Sequence, residues 1–313
     1  MLVQLASMRD AYAEILLELG QEDPRVVAVG ADTSVSIKTS MFGDRFPDRF
    51  FNVGIAEANM IGIAAGLALT GKIPFVSTYS AFVPGKCLDQ IRNAIAYPNL
   101  SVKIVSSHGG LTVGPDGASH QTIEDVAAMR AVPRMHVVVP ADAPSTKSLV
   151  AQACRTLGPF YIRLSRPNVP TIYSASKDAE VGKAKVLREG TDVGIVSCGI
   201  MVNEAMEAAE VLAKTGISAE VVDSHTIKPL DSHTIAQVAR KTGGLVTAEE
   251  ANVIGGLGGA VAEAITETYP VPIARIGVRD TFGESGEHQE LMAKYGLTSK
   301  EIARTAKHLV ESR

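Results

Sequence analysis

Short apolar, β-branched runs alternate with longer amphipathic segments along nearly the whole chain, which predicts strands and helices in turn. Ser7 is placed to cap a first helix that stops at Gly20. Strands follow at VVAVG (26–30), FFNV (50–53), IPFVST (73–78), SVKIVSS (101–107), HVVVP (136–140) and FYIRLS (160–165). Between them the pattern predicts helices over 55–69, up to Pro98, over 123–131 and over 145–157. The alternation weakens in the more polar stretch 168–190 and then restarts. Strands are predicted at 193–199, 218–223, 245–250 and 273–278, with helices ending at Gly216, Lys241 and Tyr269.

Near-continuous apolar strands separated by helices predict an α/β protein of two domains, each a mostly parallel sheet with helices on both faces. The first domain is read as residues 1–175, the linker as 176–190 and the second domain as 191–313. With 313 residues, each domain is large enough to bury its own core.

Composition removes several classes of function. Hydrophobic residues make up 46% and charged residues 20%, the balance of a globular chain. The formal charge of −4, with no basic run, disfavours nucleic acid and anionic membranes as partners. No apolar stretch approaches the ~18 residues of a membrane span. Arg9, Asp10, Glu14 and Glu18 are unlike a signal peptide. Cys87, Cys154 and Cys198 form neither a CxxC pair nor a disulfide pattern, so the cytoplasm is the expected compartment.

Four constellations could carry chemistry. Glu57 sits in NVGIAEANMIGIAAGLAL, a helix apolar on nearly every face and so expected to be buried all round. A carboxylate there is costly unless a partner bonds it; the alternative is a glutamate satisfying the first amides of its own helix. Tyr79 and Phe82 follow a strand end, where open parallel sheets bind ligands, and could wall a flat ring or simply pack. The segment 106–125 is rich in glycine and presents His108, Asp116 and His120, either as a polar pocket or as incidental groups on a surface loop. In RLSRPN, Arg166 stands at the mouth of the last strand, suited to a phosphate or carboxylate, or to a surface ion pair. Gly255, Gly256, Gly258 and Gly259 lack the downstream acidic residue of a dinucleotide fingerprint, and helix–strand packing explains them better. Met201 and Met206 read as core or helix-face residues.

Taken together these segments resemble the transketolase family, over essentially the whole chain. VGIAEANM resembles the segment with the cofactor-activating glutamate, which implies that Glu57 partners the aminopyrimidine of thiamine diphosphate. STYSAF resembles the segment whose aromatics hold that ring, implying Tyr79 and Phe82; Gly85 stands where the family often has a third aromatic. SHGGLTVGPDGASHQTIE is the most specific match. It implies that His108 contacts the sugar or its phosphate, that Asp116 reads an acceptor hydroxyl, and that His120 contacts the donor near the reacting carbons. LSRPNVP implies a phosphate ligand in Arg166, and MRDA a second in Arg9. GADTSVS places Asp32 near the cofactor and Ser36 near the phosphate.

The resemblance explains the residue types. Thiamine diphosphate must lose a proton from its thiazolium ring, and a carboxylic acid against its aminopyrimidine favours the tautomer that takes it. The family's separate diphosphate domain, with a GDG…N motif and Mg²⁺ or Ca²⁺, has no counterpart here. No GDG occurs, and Pro115-Asp116-Gly117 belongs to the histidine loop. The implied partner is an N-terminal transketolase subunit in an α₂β₂ assembly. TIKPLD (226–231) and DQIRNA (89–94) also resemble the β subunit of a 2-oxoacid dehydrogenase, and a non-catalytic subunit of the same fold remains open. A 1-deoxyxylulose-5-phosphate synthase fits less well, since its loop resembles DRAG where this chain has His108-Gly109.

Overall fold

The computed structural model describes residues 4–174 and 178–313. The boundary expected between 175 and 176 lies outside the described residues. The first half opens with β1 (Leu5–Ala6), α1 (Met8–Glu22), β2 (Val26–Gly30), the short helices α2 (Ser34–Ile37) and α3 (Ser40–Arg45), and β3 (Phe50–Asn52). It continues with α4 (Glu57–Leu69), β4 (Ile73–Ser77), α5 (Phe82–Gln90), β5 (Lys103–Ser106) and α6 (Asp125–Ala131). Then come β6 (His136–Val138), α7 (Ala143–Arg155), β7 (Phe160–Arg163) and β8 (Val169–Pro170). The second half runs β9 (Lys185–Arg188), β10 (Val193–Ser197), α8 (Met201–Ala213), β11 (Ala219–Asp223), β12 (Thr226–Lys228) and α9 (Ser232–Thr242). It closes with β13 (Leu245–Asn252), α10 (Leu257–Thr268), β14 (Ile273–Val278), α11 (His288–Lys294) and α12 (Ser299–Glu311).

The larger sheet has the order β12-β6-β7-β5-β4-β2-β3 and the smaller β14-β13-β10-β11-β9. Both are parallel except at one edge, where β12 and β9 pair antiparallel with β6 and β11. The α/β expectation therefore holds. Three features lay beyond the sequence pattern. β9 falls inside the stretch read as linker, β1 and β8 form a separate two-stranded ribbon, and β12 crosses from the second half to finish the first sheet. Edge pairings this short carry no readable period.

Local chemistry sets the helix ends. Ser7 caps α1 by accepting the Asp10 amide at 3.1 Å. Gly20 does not stop the helix: α1 continues to Glu22, and Gly20 is there because a Cβ would lie 2.5 Å from the Phe42 ring. α7 begins at Ala143, earlier than expected, because Asp142 is its cap; Asp142 accepts the Ser145 amide while Ser145 Oγ accepts the Asp142 amide. The expectation that α4 is buried on all sides also fails. Asn59, Gly62, Gly66 and Leu69 form an exposed face on an otherwise packed apolar helix.

Candidate functional site at the carboxyl ends of the first sheet

The site is assembled from segments that leave the carboxyl ends of β2, β3, β4, β5 and β7, where an open parallel sheet exposes its strand-end loops. After β4 the chain turns so that Tyr79 pairs with Ser107 beyond β5, which brings the two strand-end segments side by side. Four rings converge there. Tyr79 lies with its ring centroid 4.2 Å from that of His108, 5.8 Å from Phe82 and 6.2 Å from His120, and Phe82 lies 5.6 Å from His120.

His108 is almost fully buried and held in a left-handed backbone conformation, with Nδ1 2.7 Å from Ser107 Oγ. Burial, reinforced by the nearby charges of Arg9 and Arg166, pulls its pKa down to about 3. His108 is thus a neutral imidazole at physiological pH. His120 is half-buried, its Nδ1 3.0 Å from Ser119 Oγ. The segment Leu111–Asp116 forms tight helical turns whose Leu111, Thr112 and Val113 are buried. Incidental histidines on a surface loop do not describe it.

Glu57 opens α4 and is only 4% exposed, yet it makes no cap bond to its own helix. Its carboxylate is met by Lys86, whose Nζ is 2.8 Å from Oε1 and 4.1 Å from the Phe82 ring centroid. Sequence reasoning missed Lys86. The available signal was its position four residues after Phe82 on α5, which puts both on one helix face. A Cβ on Gly85 would meet nothing within 4 Å, so the position of the missing aromatic is open space.

A cationic corner lies beside the rings. Arg9 donates to the Ser36 carbonyl at 2.9 Å and to the Arg166 carbonyl at 3.1 Å, while its buried Nε has no partner. Arg166 donates to the Val113 carbonyl, which ties it to the histidine loop. Arg9, Ser36 and Arg166 are therefore joined to one another in one corner. Asp32 and Asp116 are not drawn in by contact. Asp32 is exposed and pairs with Asn52, whose side-chain oxygen accepts the Asp32 amide at 3.0 Å, and Asp116 is exposed at the end of its turn. Two rings with open space beside them and a buried carboxyl fit a flat heteroaromatic ring. Among the described residues no cluster of three His, Cys, Asp or Glu side chains could hold a metal ion.

The glycines near 255–259 are already occupied from within. Glu249 accepts the Leu257 and Gly258 amides at 2.7 and 2.8 Å, filling the anion position at the start of α10. Met201 is core and Met206 packs partly buried against it.

Residues 4–171 match the family model of the transketolase pyrimidine-binding domain, and 182–302 that of the transketolase C-terminal domain. A protein of Methanocaldococcus jannaschii described as a transketolase C-terminal section is 47% identical, over 95% of this chain and 94% of its own length. The 6-deoxy-6-sulfo-D-fructose transketolase subunit of Clostridium sp. (strain MSTE9) is also 47% identical, over 97% of this chain and 94% of its own. A solved split-gene transketolase, an inactive β4 tetramer, is 50% identical with a TM-score of 0.92, covering 97% of this chain and 98% of that one. With both domain models matched along nearly its whole length, the chain belongs to the transketolase family and carries its pyrimidine-binding and C-terminal domains.

Proposed function

We propose that this chain is the pyrimidine- and sugar-binding subunit of a two-subunit, thiamine-diphosphate-dependent transketolase, which moves a two-carbon ketol unit from a ketose to an aldose. The observation that carries this reading is the convergence of Tyr79, Phe82, His108 and His120 over a site whose edge holds the buried Glu57. Thiamine diphosphate supplies the carbanion chemistry that no side chain can provide. Tyr79 and Phe82 hold its pyrimidine, and Glu57 places a carboxyl against the ring nitrogen. Lys86 must release or share that carboxyl when the ring is seated. Asp32, near the edge of the same strand ends, lines the cofactor's approach.

The sugar is handled by the remaining residues. His108, kept neutral, exchanges hydrogen bonds with hydroxyls without adding charge to the cationic corner. His120, half-exposed between the two aromatic rings, moves the hydroxyl proton at the reacting carbons. Asp116 reads an acceptor hydroxyl. Arg166, Arg9 and Ser36 grip the terminal anion of the sugar, and the unpartnered Arg9 Nε offers one donor without breaking an existing bond. The Clostridium relative is named for a sulfonated sugar, so the anion class is phosphate or sulfonate; pentose phosphates of the cytoplasm are the first pair to test.

The diphosphate and its Mg²⁺ or Ca²⁺ are assigned to a partner subunit bearing a GDG…N motif, in an α₂β₂ assembly. Two observations support a partner. The apolar α4 leaves Gly62, Gly66 and Leu69 uncovered, and the similar split-gene chain is inactive as a tetramer of β chains. The purified chain, given thiamine diphosphate and Mg²⁺, is expected to transfer no ketol unit and to gain the activity on mixing with the partner. Turnover by the chain alone would overturn the split assignment.

A further inference from the structure

Glu249 and Glu250 are adjacent on β13, so their side chains leave opposite faces of the extended strand. Both are buried. Glu249 is consumed inside its own domain, at the start of α10. Glu250 points the other way, into the first domain, where Oε1 accepts the amide of Thr112 at 2.6 Å. Thr112 lies in the segment between His108 and His120.

The fit around this bond is close. Gly110 has φ +83°, and a Cβ there would fall 2.3–2.6 Å from the atoms of the Glu250 carboxylate. A Cβ on Gly109 would lie 2.1 Å from Arg163 Nε. The Arg163 guanidinium in turn donates to the Glu250 carbonyl at 2.9 Å and the Thr122 carbonyl at 3.3 Å, with its Nε 3.1 Å from Asp125. The Asn252 amide, two residues further along β13, donates to the Ile123 carbonyl at 2.8 Å. The two glycines after His108 are thus the space that Arg163 and Glu250 fill.

The far end of the loop is held by the same half of the chain. Gln121 Nε2 donates to the carbonyls of Leu111, Gly114 and Glu284 at 3.2, 3.1 and 2.9 Å. Cβ atoms built on Gly114 and Gly117 would meet Gly286 O at 3.2 Å and Ser285 Oγ at 2.6 Å. The stretch after β14 therefore lies directly against the turn that carries Asp116. The second domain reaches the site through the loop, clasping it near both ends.

We propose that Glu250 is a positioning residue: by holding the Thr112 amide it sets the conformation of the 109–120 segment, and the C-terminal domain serves the reaction as the frame of the sugar-binding loop. This rests on the reading of His108, Asp116 and His120 as sugar ligands. The bond itself does not depend on that reading. A carboxyl oxygen accepting a buried amide gives a fixed direction to a loop whose glycines would otherwise leave it free to rearrange.

The test uses the assembled enzyme and, in parallel, amide hydrogen exchange on the full chain. Glu250→Ala is expected to raise KM for both sugars about tenfold, leaving the Kd for thiamine diphosphate within about twofold and speeding exchange at Thr112 and its neighbours. Glu250→Gln is expected to restore KM, since its amide oxygen can still accept the Thr112 N–H. In a double variant with His120→Ala, the two losses should fall well short of multiplying, because one acts through the other. Should Glu250→Ala fail to fold, Glu250→Asp, which draws the carboxyl back from the Thr112 amide by one methylene, must give the same KM signature. Unchanged KM, an equal loss of cofactor affinity, or a Glu250→Gln as impaired as the alanine would overturn the proposal. If His120→Ala alone leaves sugar kinetics untouched, the sugar reading of the loop fails instead, while the Thr112 exchange result still decides whether Glu250 holds the loop.

Discussion

Glu57 and Glu250 are both buried carboxylates beside the same site, and their surroundings differ in kind. Glu250 is complete within the chain: a backbone amide, the Arg163 cation close by, and protein on every side. Glu57 is buried but met only by the half-exposed Lys86, beside open space at Gly85 and on a helix with one face uncovered. The first arrangement is structural closure. The second leaves a buried carboxylate with one half-exposed partner and open space beside it, which is the arrangement the proposed cofactor and partner subunit would complete. Buried carboxylates alike in sequence thus divide by whether the fold has already answered their need for a partner.

The contrast is broken most directly at Glu57. Glu57→Gln in the assembled enzyme is expected to lower kcat by about a hundredfold or more, with the melting temperature of the chain barely changed. Turnover near the wild-type level at saturating thiamine diphosphate would remove Glu57 from the cofactor's activation. A smaller effect is expected at the cationic corner. A charge-assisted hydrogen bond contributes about 1.5–3 kcal/mol, so Arg166→Ala should raise KM for an anion-terminated sugar roughly ten- to a hundredfold. An uncharged acceptor should be nearly unaffected; comparing phosphorylated, sulfonated and uncharged sugars on one variant checks this, and equal losses would show that Arg166 does not read the anion.

The smallest effect is on stability. Burial raises the carboxyl of Glu250 from 4.5 to about 7, with the Arg163 cation and the Thr112 amide opposing the rise. Between those values the folded chain keeps a proton that the unfolded chain has lost, so this group's contribution is full below about 4.5 and declines as pH climbs through about 7. His108, at about 3, and His225, at about 4, act in the opposite direction over the acid part of the range. The quantity to measure is therefore the difference in melting temperature between the wild type and Glu250→Gln. It should move against the wild type as pH rises from about 5 to about 7 and level off above that. A difference independent of pH would mean that Glu250 is ionised throughout.

The sequence by itself determined the α/β alternation, the parallel sheets and the residues that meet at the strand ends. Apolar periodicity and strand-end position are local properties, and Tyr79, Phe82, His108 and His120 all follow strands whose carboxyl ends share one edge. Arg9, Ser36 and Arg166 were legible through motif likeness and are joined in space by two hydrogen bonds. Only the tertiary structure decided which partner each buried charge would find. Lys86 on Glu57, Asp125 on Arg163 and Glu250 on Thr112 join residues 29, 38 and 138 positions apart. Chain pattern carries no trace of pairings at such separations. The same reason explains Gly20, which reads as a helix stop until the Phe42 ring, from another helix, is packed against it. What a residue is can be read along the chain; what it is next to is settled when the sheets and helices close over one another.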